Sequence, residues 1–396
     1  MLIRGGRLVD PAASLDSLRD LRVRDGRIAE IGERLAVREG EEVINAAGAI
    51  VAPGFIDVHV HLREPGYPEK ETIRTGTEAA VRGGFTAVAC MPNTKPALDE
   101  PTVLRELAHR IEREARCRVY PVAAITRGRE GTEPCDFAAL SAAGAVAFSD
   151  DGDTVAMTSV LREAATRALP ARGLFIEHCE PEESVVERDL AIAAETGKRW
   201  HVAHVSTAGA LARIRDARRH IRVSCEVTPH HLTFTGDLVD ELGAAAKVNP
   251  PLRTEDDVKS LREGVRDGTI EIFASDHAPH ADAEKRGDFN SAAPGFTGLE
   301  IAVGAYAAAV PDISLTRFVE LLSTNPSRIF GLPGGALTVG SPADVTIFAD
   351  RAWRVDPARF ASKGRCTPFA GRSLPRRVLA TIVGGEIRYR ASDWAA

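Results

Sequence analysis

A chain of 396 residues, 44% hydrophobic and 27% charged, is too long for one small core. At roughly 150 residues per domain it allows two or three units, or one barrel with an accessory domain. No apolar run approaches the ~20 residues of a membrane span, and a net charge of -6 with scattered arginines speaks against nucleic acid as a partner.

The N-terminal "MLIRGGRLVD" alternates apolar residues and lacks the basic-then-apolar order of a secretory signal, so a cytoplasmic location is expected. Together with "LRVRDGRIAEIG" and its "DG" turn it reads as short hairpin strands. From "PGFIDVHVH" onward the pattern changes. The runs "FTAVACMPN", "AVAFSDDG", "GLFIEHCE", "WHVAHVS", "IRVSCEVTPHH" and "EIFASDHAPH" alternate with helical stretches such as "PTVLRELAHRIEREA", which implies buried parallel strands in a doubly wound sheet or a (β/α)8 barrel. Their polar residues fall at the C-terminal ends of the runs, where a barrel builds its active site, and no GxGxxG loop follows a strand. The end of the chain, "ADVTIFA" and "RRVLATIVGGEIRYR", returns to hairpin strands, so the two ends are expected to pair into one small domain. The six cysteines are isolated, with no CxxC spacing, and read as reduced core residues.

His59 and His61 stand two apart on one strand, so their imidazoles share a face. Alone, such a pair suits hydrogen-bonded packing as well as a metal site. Repetition favours the metal: His178, His204, Asp151 and Asp276 also close apolar runs, and imidazole with carboxylate is the donor set of zinc and similar divalent ions.

The motifs "PGFIDVHVHLREPG", "GGFTAVACMPNTKP", "FSDDG", "HCE", "HVSTAGAL", "KVNPPLR", "SDHAPH" and "GLE", in this order and with "GSPADVTIF" and "FASKGRCTPFAG" after them, resemble the bacterial-type (class I) dihydroorotases of the amidohydrolase superfamily. The resemblance covers nearly the whole chain. It implies a (β/α)8 TIM-type barrel over residues 54–334 and a small β-sandwich formed by residues 1–53 and 335–396. It also implies reversible interconversion of N-carbamoyl-L-aspartate and L-dihydroorotate in pyrimidine biosynthesis. Carried over residue by residue, it makes His59, His61 and Asp276 ligands of one Zn2+ and His178 and His204 ligands of a second, with Asp151 and a hydroxide bridging them. Asp276 is then the general base that becomes a general acid. Arg63, Asn93 and His280 are implied to bind the substrate carboxylate, and Asn249 to read the ring amide. The pair His230 and His231 is read as supporting rather than ligating, and His109, His201 and His220 as helix-surface or barrel-rim residues.

Two other readings stay open. A hydantoinase or allantoinase shares the barrel and histidines, but such relatives usually bridge their metals with a carboxylated lysine, where this chain has Asp151. A non-catalytic homologue could serve as a structural partner of aspartate transcarbamoylase, although all six ligand types are present here. A homodimer, with a possible aspartate transcarbamoylase complex, is the expected assembly. One departure from the family stands out: "HCEPEESVVERDLAIAAETG" runs from His178 almost directly into a helix where family members carry a longer segment. This puts the packing at that strand end, and any subunit contact through it, in question. The polar stretch Ala281 to Gly295 is expected to form a mobile loop over the site.

Overall fold

Eight short, wholly or largely buried strands in parallel form the centre of the computed structural model, which describes residues 1–394. They are β1 (Phe55–Val60), β2 (Phe85–Cys90), β3 (Arg118–Ala123), β4 (Ala147–Phe148), β5 (Phe175–Glu177), β6 (Trp200–Val202), β7 (Val223–Val227) and β8 (Ile272–Phe273). Each pairs with the next. The ring closes where Val60 bridges His277 in parallel and the His61 N–H donates to the His277 carbonyl at 2.9 Å. This is a (β/α)8 barrel. One of its strands, β3, is not evident as a run because Pro121 interrupts it, and proline is rare inside a sheet.

Strand alternation divides the core in two. Ala87, Ala89, Ile176, Ile272 and Ala274 fill the barrel interior above a plug of Ile329, Phe330 and Leu332. Val88, Phe148, Phe175, Trp200, Val202, Cys225, Val227 and Phe273 face outward, under the helices. The helices begin and end where local chemistry requires. Glu255–Asp267 starts at a reciprocal cap between Thr254 and Asp257, with three acids in its first turn, and stops at Gly268, whose φ of +85° suits only glycine.

Strands from both ends of the chain share one eight-stranded sheet. The ends join where Ile50–Pro53 pairs antiparallel with Val345–Ala349. Ile3, Leu8, Leu21, Val51, Val345, Ile347 and Ile382 give this sheet its own core. The hairpin pattern holds except at Leu2–Asp10, which takes Val43–Asn45 and Ile50–Pro53 as parallel neighbours, pairings that hairpin signals cannot announce. Among the described residues, no helix is long and apolar enough to cross a membrane.

The barrel and the C-terminal segment meet at Glu300, whose carboxylate accepts from the Ala361 N–H at 2.7 Å and the Ser362 N–H at 3.3 Å. Burial outweighs these donors and pushes its carboxyl up to about 7 from 4.5. Between these values the folded protein holds a proton that the unfolded chain has lost, so stability falls as pH rises through this window. Glu300→Gln keeps the acceptor and removes the titration. Relative to wild type, its unfolding free energy is expected to gain about 1–3 kcal/mol on going from pH 5 to pH 8, measured by urea titration at each pH.

Candidate metal centre and active site

The C-terminal ends of the barrel strands converge on one cavity of about 190 Å3, lined by His61, Arg63, Asn93, Asp151, His178, His204, Asn249, Asp276 and His280. His59 ends β1 just beneath it, wholly buried. All ten residues singled out from the sequence therefore meet in one place. Arg63, His204 and Asp276 hold left-handed backbones, at φ of +61°, +30° and +46°. Such conformations are costly for residues with a side chain and gather where function demands them.

Asp151 is the centre of the cluster. Its Oδ1 lies 3.2 Å from His59 Nε2, 3.5 Å from His204 Nε2 and 4.0 Å from His178 Nδ1, and its Oδ2 lies 3.5 Å from His61 Nε2. Two compact donor groups result, His59–His61–Asp151 and Asp151–His178–His204, sharing the one carboxylate. Asp276 Oδ1 adjoins the first, 3.2 Å from His61 Nε2 and 3.7 Å from His59 Nε2. The donors suit a cation. Buried His59 Nε2 and Asp151 Oδ1 have no hydrogen-bond partner, a condition that costs about 1–3 kcal/mol for each group unless something satisfies it, and His178 Nδ1 faces His204 Nε2 at 3.0 Å.

Burial opposes charge on His59, His61, Asp151, His178 and Asp276, and the neighbours decide the outcome. At His59 it is outweighed by the charges of Asp151 and Glu226, which hold the imidazole well above its usual pKa. At Asp151 it is outweighed by His59 and His204, which hold the carboxyl well below the usual range. The electron pairs that bind protons here are those a metal would take. His178, by contrast, is lowered to about 4 by burial and by His204, and so is neutral and free to ligate at pH 7.

The remaining partners orient these donors. Asn93 Oδ1 is 2.8 Å from His61 Nδ1, so one atom of this residue is committed to the imidazole. Asn249 Nδ2 lies 3.0 Å from His178 Nε2. Arg63 donates from Nε to the Pro279 carbonyl at 3.2 Å, and its terminal nitrogen is 3.4 Å from His280 Nε2. The Ala281–Gly295 segment is braced internally by Lys285, which donates to the Ala293 and Gly295 carbonyls, and is tied to the loop after β1 by Lys70 on Glu284 at 2.7 Å. His230 and His231 are buried, and both contact the Thr228 hydroxyl. Burial lowers His230 to about 3.

His109 and His220 are exposed on or beside helices, but His201 is not at the rim. It is fully buried inside the barrel, with Nε2 3.1 Å from Glu226 Oε2. Glu226 and Asp57 are further residues that motif reading passes over. Asp57 accepts from the His59 and Ser275 N–H groups, tying β1 to the segment after β8. The available signal was a carboxylate inside an apolar strand, which has to find a partner.

A family model for dihydro-orotase-like proteins matches residues 48–201. The dihydroorotase of Anaeromyxobacter dehalogenans strain 2CP-C is 44% identical over 420 aligned positions, covering 98% of this chain and 97% of that protein. That of Pelotomaculum thermopropionicum is also 44% identical, covering 98% of each. This chain belongs to the dihydroorotase family. As a family member it is an enzyme, a hydrolase acting on cyclic amides. Among solved structures, the L-hydantoinase from Arthrobacter aurescens superposes with a TM-score of 0.90 at 24% identity, over 100% of this chain and 97% of that one. A D-hydantoinase from a Bacillus species gives 0.87 at 24% identity. These likenesses carry the fold.

The alignments with the dihydroorotases are longer than this 396-residue chain, so those relatives hold residues that it lacks. The barrel nonetheless closes around the strand end at His178. The helix Glu182–Thr196 begins at once, and buried Glu182 accepts from the N–H groups of Ser206 and Thr207, each at 2.9 Å, fastening the loop after His204. Because Asp151 belongs to both donor groups, Asp151→Ala is expected to lose at least half of the divalent metal bound by the wild type after dialysis, read by plasma mass spectrometry.

Proposed function

We propose that this dihydroorotase-family enzyme interconverts N-carbamoyl-L-aspartate and L-dihydroorotate, a step of pyrimidine biosynthesis, using two zinc ions held by His59, His61, Asp151, His178, His204 and Asp276. The observation that carries the choice of substrate is Arg63. This residue is 9% exposed, faces the cavity and forms no ion pair among the described residues. A buried guanidinium without an acid calls for an anionic ligand. L-Dihydroorotate brings a carboxylate outside its reacting amide, whereas hydantoin and allantoin bring none.

Zinc bound at the two donor groups would polarise the amide carbonyl and bring a water's pKa toward neutrality. Asp276, whose carboxyl is held below the usual range despite burial by His61 and His59, accepts the proton of the attacking water. It returns that proton to the ring nitrogen as the C–N bond breaks, so one residue acts as base and then as acid. In the other direction the carbamoyl nitrogen gives its proton to Asp276 and attacks the side-chain carboxylate carbon, and one carboxylate oxygen leaves as water with that proton and a second one taken up from solvent. Arg63 holds the spectator carboxylate in a bidentate pair, assisted by the free amide nitrogen of Asn93 and by His280. Burial, then Arg63 and Lys70, lower His280 to about 4, which makes it a neutral hydrogen-bonding partner at pH 7. Asn249, between His178 and the cavity, reads the ring amide.

The test is absorbance-monitored hydrolysis of L-dihydroorotate with added zinc, beside hydantoin and allantoin. Turnover of dihydroorotate alone is expected. Asp276→Ala should lower kcat by about 10²–10⁴-fold, and Arg63→Lys should raise KM by about tenfold or more because a point charge cannot replace the guanidinium fork. Turnover of the uncharged rings with equal efficiency, or an Arg63→Lys variant with unchanged KM, would overturn the assignment of substrate.

A further inference from the structure

We propose that Glu226 is a positioning residue that braces both donor groups at once, a role that rests on the metal-centre reading above. Glu226 lies on β7, where alternation turns Val223, Cys225 and Val227 outward and leaves Ser224 and Glu226 on the interior side. A fully buried carboxylate at an interior position otherwise filled by alanine or isoleucine is expensive unless its lone pairs are taken up. Here each oxygen has a partner. Oε1 stands 2.6 Å from His59 Nδ1 and 3.3 Å from the main-chain nitrogen of His204. Oε2 stands 3.1 Å from His201 Nε2, and the far nitrogen of that ring lies 2.8 Å from the Ser224 hydroxyl.

The consequence follows from hydrogen-bonding roles. An ionised carboxylate only accepts, so His59 must donate its Nδ1–H to Glu226, which leaves Nε2, 3.2 Å from Asp151, as the atom whose proton a bound metal would replace. His59 Nδ1 has no other hydrogen-bond partner, so its tautomer and ring orientation depend on Glu226. The same oxygen accepts from the peptide of His204, which sits at φ +30°, and thus helps to hold the strained backbone that aims the second group's imidazole. One carboxylate therefore reaches a side chain of the first group and the main chain of the second. His201 and Ser224 fix that carboxylate from the opposite side. Outer partners of this kind set the orientation and basicity of metal-ligating imidazoles.

The experiment compares wild type with Glu226→Gln, which keeps the volume but can accept on one atom only. Zinc affinity is measured by chelator competition, and the visible spectrum is recorded after Co2+ substitution. Glu226→Gln is expected to bind zinc about 10–100-fold more weakly and to show a shifted Co2+ spectrum, a change that a residue merely filling the barrel would not produce. Equal affinity and an identical spectrum would overturn the proposal while leaving the metal centre intact. If wild type binds neither ion, the metal-centre reading fails and this one with it. Should Glu226→Gln not fold, His201→Leu removes the donor to Oε2 while keeping the carboxylate. It is expected to weaken zinc about three- to tenfold, a smaller loss than removal of the carboxylate itself, and unchanged affinity there would overturn the proposal as well.

Discussion

The barrel mouth depends on one expensive act, the burial of the Asp151 carboxylate among four imidazoles. Taking a carboxylate out of water costs several kcal/mol unless opposite charge or a metal replaces the lost hydration, and Asp151 is 2% exposed. His59 supplies opposite charge, and together with His61, His178 and His204 it brings donors that could hold a metal, from three strand ends. No local stretch of chain could assemble them. The parallel barrel can, because all its strands deliver their C-terminal ends to the same rim.

Holding this cluster shapes what surrounds it. Polar groups occupy interior positions that packing alone would fill with apolar residues: Asp57 beneath His59, Glu226 beside it, and His201 and Ser224 behind. Each is buried and each has a hydrogen-bond partner. The barrel interior is thus layered, with an apolar plug around Ile329 and Phe330 at the bottom, a hydrogen-bonded layer above it and the donor cluster at the top. Helix caps and loops carry the order outward, as where Glu182 clamps the loop that follows His204.

Arg63 introduces the complementary asymmetry. The donor cluster is rich in carboxylate and imidazole, whereas the opposite side of the cavity presents a guanidinium with no acidic partner. A substrate that is anionic at one end and a neutral amide at the other matches this division. A ring without that carboxylate does not. Under the proposed substrate, discrimination among cyclic amides rests on this buried cation rather than on the barrel, a fold that the hydantoinase structures share.

What the sequence determined by itself was local and periodic. Buried runs with polar residues at their ends announced seven of the eight barrel strands and the six candidate ligands that close them, because strand spacing acts over a few residues, whereas the roles of Arg63, Asn93, Asn249 and His280 came only through the family resemblance of the motifs around them. Tertiary structure alone decided the rest. Pro121 hid β3, which is a strand only because its neighbours impose it. His201 looked like a rim residue until the barrel turned it inward, and the tie between His59 and Glu226 spans 167 positions, beyond any short-range pattern. The same holds for Glu300 against the C-terminal segment and for the parallel pairs of the end sheet. These depend on which groups meet after the chain has closed, and the energy of a buried polar group is set by that meeting, not by its place in the sequence.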